Sequence, residues 1–155
     1  GTMWFDRPTD IHEIEELPEN AKINRNNPWY ARLCDVTRFF VERSRGDYVV
    51  GMTDLGGVLD ILSSFLGPKD LIVNMRRNPN VIDACRAIIL EKTLKVYDDL
   101  QSIIDNARLG CNSWLDVWCP KHWYPIQCDF SAMLSPKWFR RFVLPDLVAQ
   151  AEHMD

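Results

Sequence analysis

None of the apolar stretches approaches the roughly 20 residues that cross a bilayer, so no membrane partner is expected. The opening, GTMWFDRPTD, does not read as a secretory signal, because no basic segment is followed by an apolar one. A disulfide framework is also missing. The five cysteines, Cys34, Cys85, Cys111, Cys119 and Cys128, are odd in number and widely spread, which fits a reducing cytoplasm. Positive charge is not in excess: 18 basic side chains face 22 acidic ones, for a net charge of -4. Nucleic acid is therefore not an expected partner, and the pairs Arg76-Arg77 and Arg140-Arg141 read as solvated helix faces. TDLGG lacks the Lys and Ser/Thr of a phosphate-binding loop. Internal repeats and low-complexity tracts are absent. With 155 residues, 46% of them hydrophobic, the chain can bury a real core, but it is shorter than a complete α/β barrel at about 250.

What is present alternates between helix and strand signals. Residues 1–27 are polar and loop-like, and His12 within them reads as a surface residue. Asn27-Pro28 reads as a cap followed by a first-turn proline, opening a helix that runs to Gly46 with Leu33, Val36 and Phe40 along one face. Residues 47–52, DYVVGM, read as a short buried strand. Helices are predicted over about Val58–Leu66, Lys69–Arg76 and Val81–Arg108. The last carries a stripe of Ile82, Cys85, Ile89, Val96, Leu100, Ile103 and Ala107. Ser113–Cys119 is the second strand candidate. A final helix opens at Ser135-Pro136, and Pro145 kinks or restarts it. Strands separated by long helices require crossovers and a parallel sheet. A sheet of two parallel strands cannot close by itself, and AQAEHMD ends inside a helix pattern. The expectation is a fragment: residues 1–46 as loop and helix, 47–155 as one incomplete α/β unit.

The richest stretch is 114–145, WLDVWCPKHWYPIQCDFSAMLSPKWFRRFVLP, where an apolar run enters an aromatic loop ahead of a helix. In α/β proteins such loops lie at the carboxyl ends of strands and hold the chemistry.

From Gly51 to Asp155 the chain resembles the uroporphyrinogen decarboxylase superfamily, which includes the haem-pathway decarboxylase and the methyltransferases that pass methyl groups between corrinoid proteins and thiols. The resemblance rests on YVVGM followed by a glycine-bearing loop and LDILSSFLG, then NPNVIDACRAII, RLGCNSWLDV and CDFSAMLSPKWFRRFVLP, in that order. It implies an α/β fold that is part of a (β/α)8 TIM-type barrel, with parallel strands and long crossover helices. It also implies a decarboxylase or a cobamide-dependent methyltransferase acting on a small-molecule substrate or a corrinoid protein. The decarboxylase branch implies no cofactor; the methyltransferase branch implies zinc, with ligands outside this chain. The arginine-rich motif of the decarboxylase branch is not found here. A partial barrel exposes strand edges, so a homo-oligomer is expected.

Asp129 matches a polar residue of the family before the S-P helix. It is the first candidate catalytic acid, against the reading of a structural acid that caps a loop. Asp54, before Gly56 and Gly57, is the second, against a helix cap. Met52, Trp118, Tyr124, Gln127 and Ser131 are candidate substrate contacts. The aromatic cluster of Trp114, Trp118, Trp123 and Tyr124 suits a flat tetrapyrrole, or else core and lid packing. Cys119, His122 and Cys128 form C-x2-H-x5-C, a metal alternative without standard zinc spacing. Ser131 and Ser135 lack a histidine partner by motif, and Ser135-Pro136 is explained as a helix start. His153 reads as a surface residue. The competing class is a non-catalytic binding module using the exposed aromatics of 114–124.

Overall fold

Local capping sets the first boundary in the computed structural model, which describes residues 25–154. The Asn27 side chain accepts from the Trp29 and Tyr30 N–H groups at 2.9 and 3.4 Å, and Pro28 occupies the first turn of α1 (Pro28–Ser44). This satisfies donors that the helix itself leaves free. Strand β1 (Gly51–Met52) follows, then α2 (Val58–Leu66), α3 (Pro68–Arg77) and α4 (Pro79–Ile104). A 3-10 turn over Asp105–Ala107 ends the long helix, with Arg108 left-handed behind it. Strand β2 (Asn112–Ser113), a second 3-10 turn (Asp129–Met133), α5 (Pro136–Phe142) and α6 (Leu144–Met154) complete the order. The start of α5 is capped by the Ser135 hydroxyl, which accepts from the Trp138 N–H. Pro145 lies in the first turn of α6, where its missing N–H costs nothing.

These elements form two compact units interleaved along the chain. The first comprises residues 56–92 and 127–148. Its core joins Leu59, Leu62 and Leu66 of α2, Leu71 and Met75 of α3, Ile82 and Cys85 of α4, Phe130, and Phe142 and Val143. Spacings of three and four put these side chains on one stripe per helix. Burial of each large apolar side chain contributes about 1.5–3 kcal/mol. The second unit comprises the described residues through Leu55, 93–126 and 149–154. Its core is Met52, Tyr97, Leu100, Ile104, Tyr124 and Met154, with Leu33 and Cys34 of α1 packed against it. Val36 and Phe40 stay exposed despite the apolar face predicted for α1. Among the described residues, no helix is long and apolar enough to cross a membrane.

The barrel expectation is overturned. Strands β1 and β2 pair in parallel, Gly51 with Asn112 and Met52 with Ser113, but they are the only sheet among the described residues and each is two residues long. The other described residues are helix, turn and irregular loop, with one isolated bridge. The reason is visible at the second strand. Ser113 does not lead on to Cys119 in extended form: the Asp116 N–H donates to the Ser113 carbonyl at 3.1 Å, and Asp116 takes a left-handed φ of 55°. The chain folds back so that Cys119 pairs with Cys111 in an antiparallel bridge. The apolar residues 114–118 therefore form an exposed turn rather than a buried strand.

Candidate active site

In the first unit, the loop before α2 and the turn before α5 are built around one carboxylate. Asp60 sits in the first turn of α2 and accepts from the Gly57 N–H at 3.2 Å. It also accepts from the N–H groups of Asp129 at 3.0 Å and Phe130 at 2.7 Å, residues about 70 positions later in the chain. A single acid thus caps its own helix and a distant 3-10 turn. Its placement near the positive end of α2 is favourable for a charge. Gly57 makes the approach possible, because a Cβ there would collide with the Gln127 carbonyl oxygen and with Asp60 itself. Phe130 anchors the turn in the apolar core.

This arrangement frees Asp129. Its backbone is fixed by Asp60, while its side chain is exposed and makes no side-chain hydrogen bond among the described residues. Gln127 and Ser131 are half-buried on either side. The Ser131 N–H donates to the Cys128 carbonyl at 3.1 Å, so Ser131 helps to close the turn. Cys128 packs against the core of this unit, and burial, followed by the Asp60 charge, pushes its thiol up to about 12. The same unit carries a groove of about 760 Å³ lined by Ile72, Val73, Arg76, Arg77 and Trp138. Both arginines are exposed, as the sequence suggested, and they share the lining of this groove with Ile72, Val73 and Trp138.

The remaining candidates belong to the second unit. Met52, the second residue of β1, is buried in the core of this unit and offers no surface. Asp54 is exposed just past the strand end. The Leu55 N–H donates to the Tyr124 hydroxyl oxygen at 2.7 Å, which ties the loop after β1 to the aromatic loop. Tyr124 packs edge-on against Trp114 and Tyr97, with centroid separations of 5.2 and 5.9 Å. Burial pushes Tyr124 up to about 12, opposed by the Leu55 N–H and reinforced by the Asp54 charge. Tyr124 is thus a structural post at the strand ends. Trp118 is exposed, but its indole N–H donates to the Leu109 carbonyl at 2.8 Å.

Cys119 and His122 lie in this unit and Cys128 in the other. His122 instead meets Asp105, its Nε2 lying 3.0 and 3.1 Å from the two carboxylate oxygens. His153 pairs with Asp98 at 2.9 Å. His12 lies outside the described residues. Sequence reasoning missed Asp60: in LDILSSFLG it looks like an ordinary polar position on an amphipathic helix. The Gly56-Gly57 pair directly before that helix was the available signal that another backbone comes close.

No family model, no curated protein and no solved structure matches the chain.

Proposed function

We propose that the chain belongs to an enzyme of the uroporphyrinogen decarboxylase-like type, a decarboxylase or a cobamide-dependent methyltransferase, with Asp129 as the acid that faces the substrate. One observation carries this reading. LDILSSFLG and CDFSAMLSP, two of the segments on which the resemblance rests, are joined by the Asp60 carboxylate. The join fixes the backbone of Asp129 and leaves its side chain unspent, as an acid needs if it is to act on a bound molecule. The groove with Arg76, Arg77 and Trp138 favours the decarboxylase branch, because a flat apolar substrate bearing carboxylates matches two guanidinium groups over an aromatic floor.

In that branch Asp129 steadies the positive charge that develops on a protonated pyrrole. The ring proton comes from solvent; the bond to the carboxylate carbon breaks, its electron pair neutralises the ring as CO2 leaves, a second solvent proton takes the place of CO2 on the side-chain carbon, and the ring proton returns to solvent. The test is Asp129→Asn in the full-length protein, assayed with a carboxylated pyrrole and, in parallel, with a methyl-corrinoid and a thiol. The expected result is a fall in kcat of about 100-fold or more in one assay, with the fold retained. An unchanged rate in whichever assay the parent protein supports removes Asp129 from the mechanism.

A second reading rests on the turn at 114–118, where Leu115, Val117 and Trp118 are more than half exposed. Such a patch suits a binding module with no chemistry. Absence of both activities in the full-length protein would favour it.

A further inference from the structure

The end of α4 carries a second cluster that the reading above does not use. The Asp105 carboxylate, Cys111 Sγ and His122 Nε2 all lie within 4.8 Å of one another. Asp105 opens the 3-10 turn that ends α4. Cys111 follows Gly110, which has a φ of 80°. A Cβ on Gly110 would collide with the Cys119 carbonyl oxygen. Only glycine lets the 118–120 segment close over the 109–111 segment, and that closure carries His122 back to the end of the helix. The result is a recess of about 230 Å³ whose lining includes Asp105, Cys111 and His122.

A surface ion pair would explain His122 with Asp105, since both are about half exposed. It does not explain the third member. Cys111 is only 3% exposed and Gln101 4%. The Gln101 amide donates both to Cys111 Sγ at 3.1 Å and to the Asp105 carboxylate at 2.8 Å. The Trp123 backbone N–H also reaches the sulfur. A buried amide that orients two potential ligands at once, with N–H groups directed at a thiol, is the outer shell that metal ligands require.

We propose that Cys111, His122 and Asp105 bind a zinc ion, with Gln101 orienting the thiolate and the carboxylate. Zinc takes sulfur at about 2.3 Å and nitrogen or oxygen at about 2.0–2.2 Å, so tetrahedral donors stand roughly 3.3–3.8 Å apart. The imidazole and carboxylate donors already lie 3.0 Å apart, and the sulfur lies within 4.8 Å of both. Binding forms the Zn–S, Zn–N and Zn–O bonds, releases the Cys111 thiol proton to solvent and leaves one position to water. Three protein ligands with an open fourth position is the pattern of a reactive rather than a purely structural zinc. The site is independent of Asp129, and neither proposal requires the other.

The experiment uses the full chain, stripped with a chelator and then titrated with Co2+ as a spectroscopic reporter and with Zn2+ in competition against a chromophoric chelator. One equivalent is expected, with a cobalt–thiolate charge-transfer band. His122→Ala, an exposed position, should weaken zinc at least tenfold while leaving the circular dichroism unchanged. Cys119→Ser should leave both the band and the affinity as they are. Cys111→Ser should abolish the band; if that variant does not fold, Asp105→Asn replaces it and should weaken zinc by a similar factor to His122→Ala. Lack of a thiolate band in the parent protein, unchanged affinity in His122→Ala, or loss of the band in Cys119→Ser would each overturn the assignment.

Discussion

The two units solve the same problem with different material. The first packs helix stripes around Leu59, Leu62, Phe142 and their neighbours, and its buried charges, Arg86 and Asp146, are paired with each other. Arg86 forks onto Asp146 through Nε and Nη2 at 2.9 and 2.8 Å, with both side chains more than nine-tenths buried, and reaches Asp83 at 2.8 Å. The second unit has a sheet of only two residues per strand and relies on edge-on tyrosines and close backbone approaches. An apolar helix core tolerates a spare exposed acid such as Asp129 on its edge. A thin core built from Tyr97 and Tyr124 depends on each hydroxyl keeping its proton.

The comparison can be broken most severely in the first unit. Arg86→Leu leaves Asp146 buried without its partner and should cost about 3–5 kcal/mol, read as a shift in the urea midpoint. A loss below 1 kcal/mol would mean that the fork is not formed. Asp60→Ala removes the acceptor of three N–H groups and should cost about 2–3 kcal/mol, while Asp60→Asn, which keeps one acceptor oxygen, should cost about half as much.

The second unit should respond to alkali instead. Burial pushes Tyr97 and Tyr124 up to about 12. Unfolded tyrosine ionises near 10, so the folded state holds protons that the unfolded state has released. The stability these groups contribute is intact below about pH 10 and is lost as pH rises to about 12. Tyr124→Phe should flatten that part of the profile, and an ultraviolet tyrosinate titration should show late-ionising rings. The smallest effect is expected at Arg38→Ala, whose partner Asp35 is exposed: a change below about 0.5 kcal/mol, checked by thermal melting.

The helices were legible because their signals are local. Asn27-Pro28 and Ser135-Pro136 mark starts, and the stripe from Ile82 to Ile103 marks a buried face; the helix over Val58–Leu66 lies where the pattern placed it. The strands were less legible. DYVVGM has strand chemistry through most of its length, yet only Gly51 and Met52 find a partner, because the residues that would face 47–50 in this parallel register, 108–111, hold a left-handed Arg108 and a positive-φ Gly110 and turn Cys111 toward Cys119. Apolar composition alone does not reveal left-handed residues on the opposite segment. Of the candidate site, Asp129 and Asp54 stand out in the sequence by position, whereas the acid that fixes the Asp129 turn lies about 70 residues away and leaves no mark in spacing. The same holds for Gln101, which reads as one more polar helix residue until its amide is seen between a thiol and a carboxylate.

The Asp60 carboxylate ties the Asp129 turn to the start of α2, and amide hydrogen exchange at Asp129 and Phe130 reads that tie. Both amides are expected to be protected in the unmutated protein and to lose about tenfold or more of that protection in Asp60→Ala, while the amides of α5 remain protected. Rapid exchange at both positions in the unmutated protein, or protection that Asp60→Ala leaves unchanged, would contradict that tie.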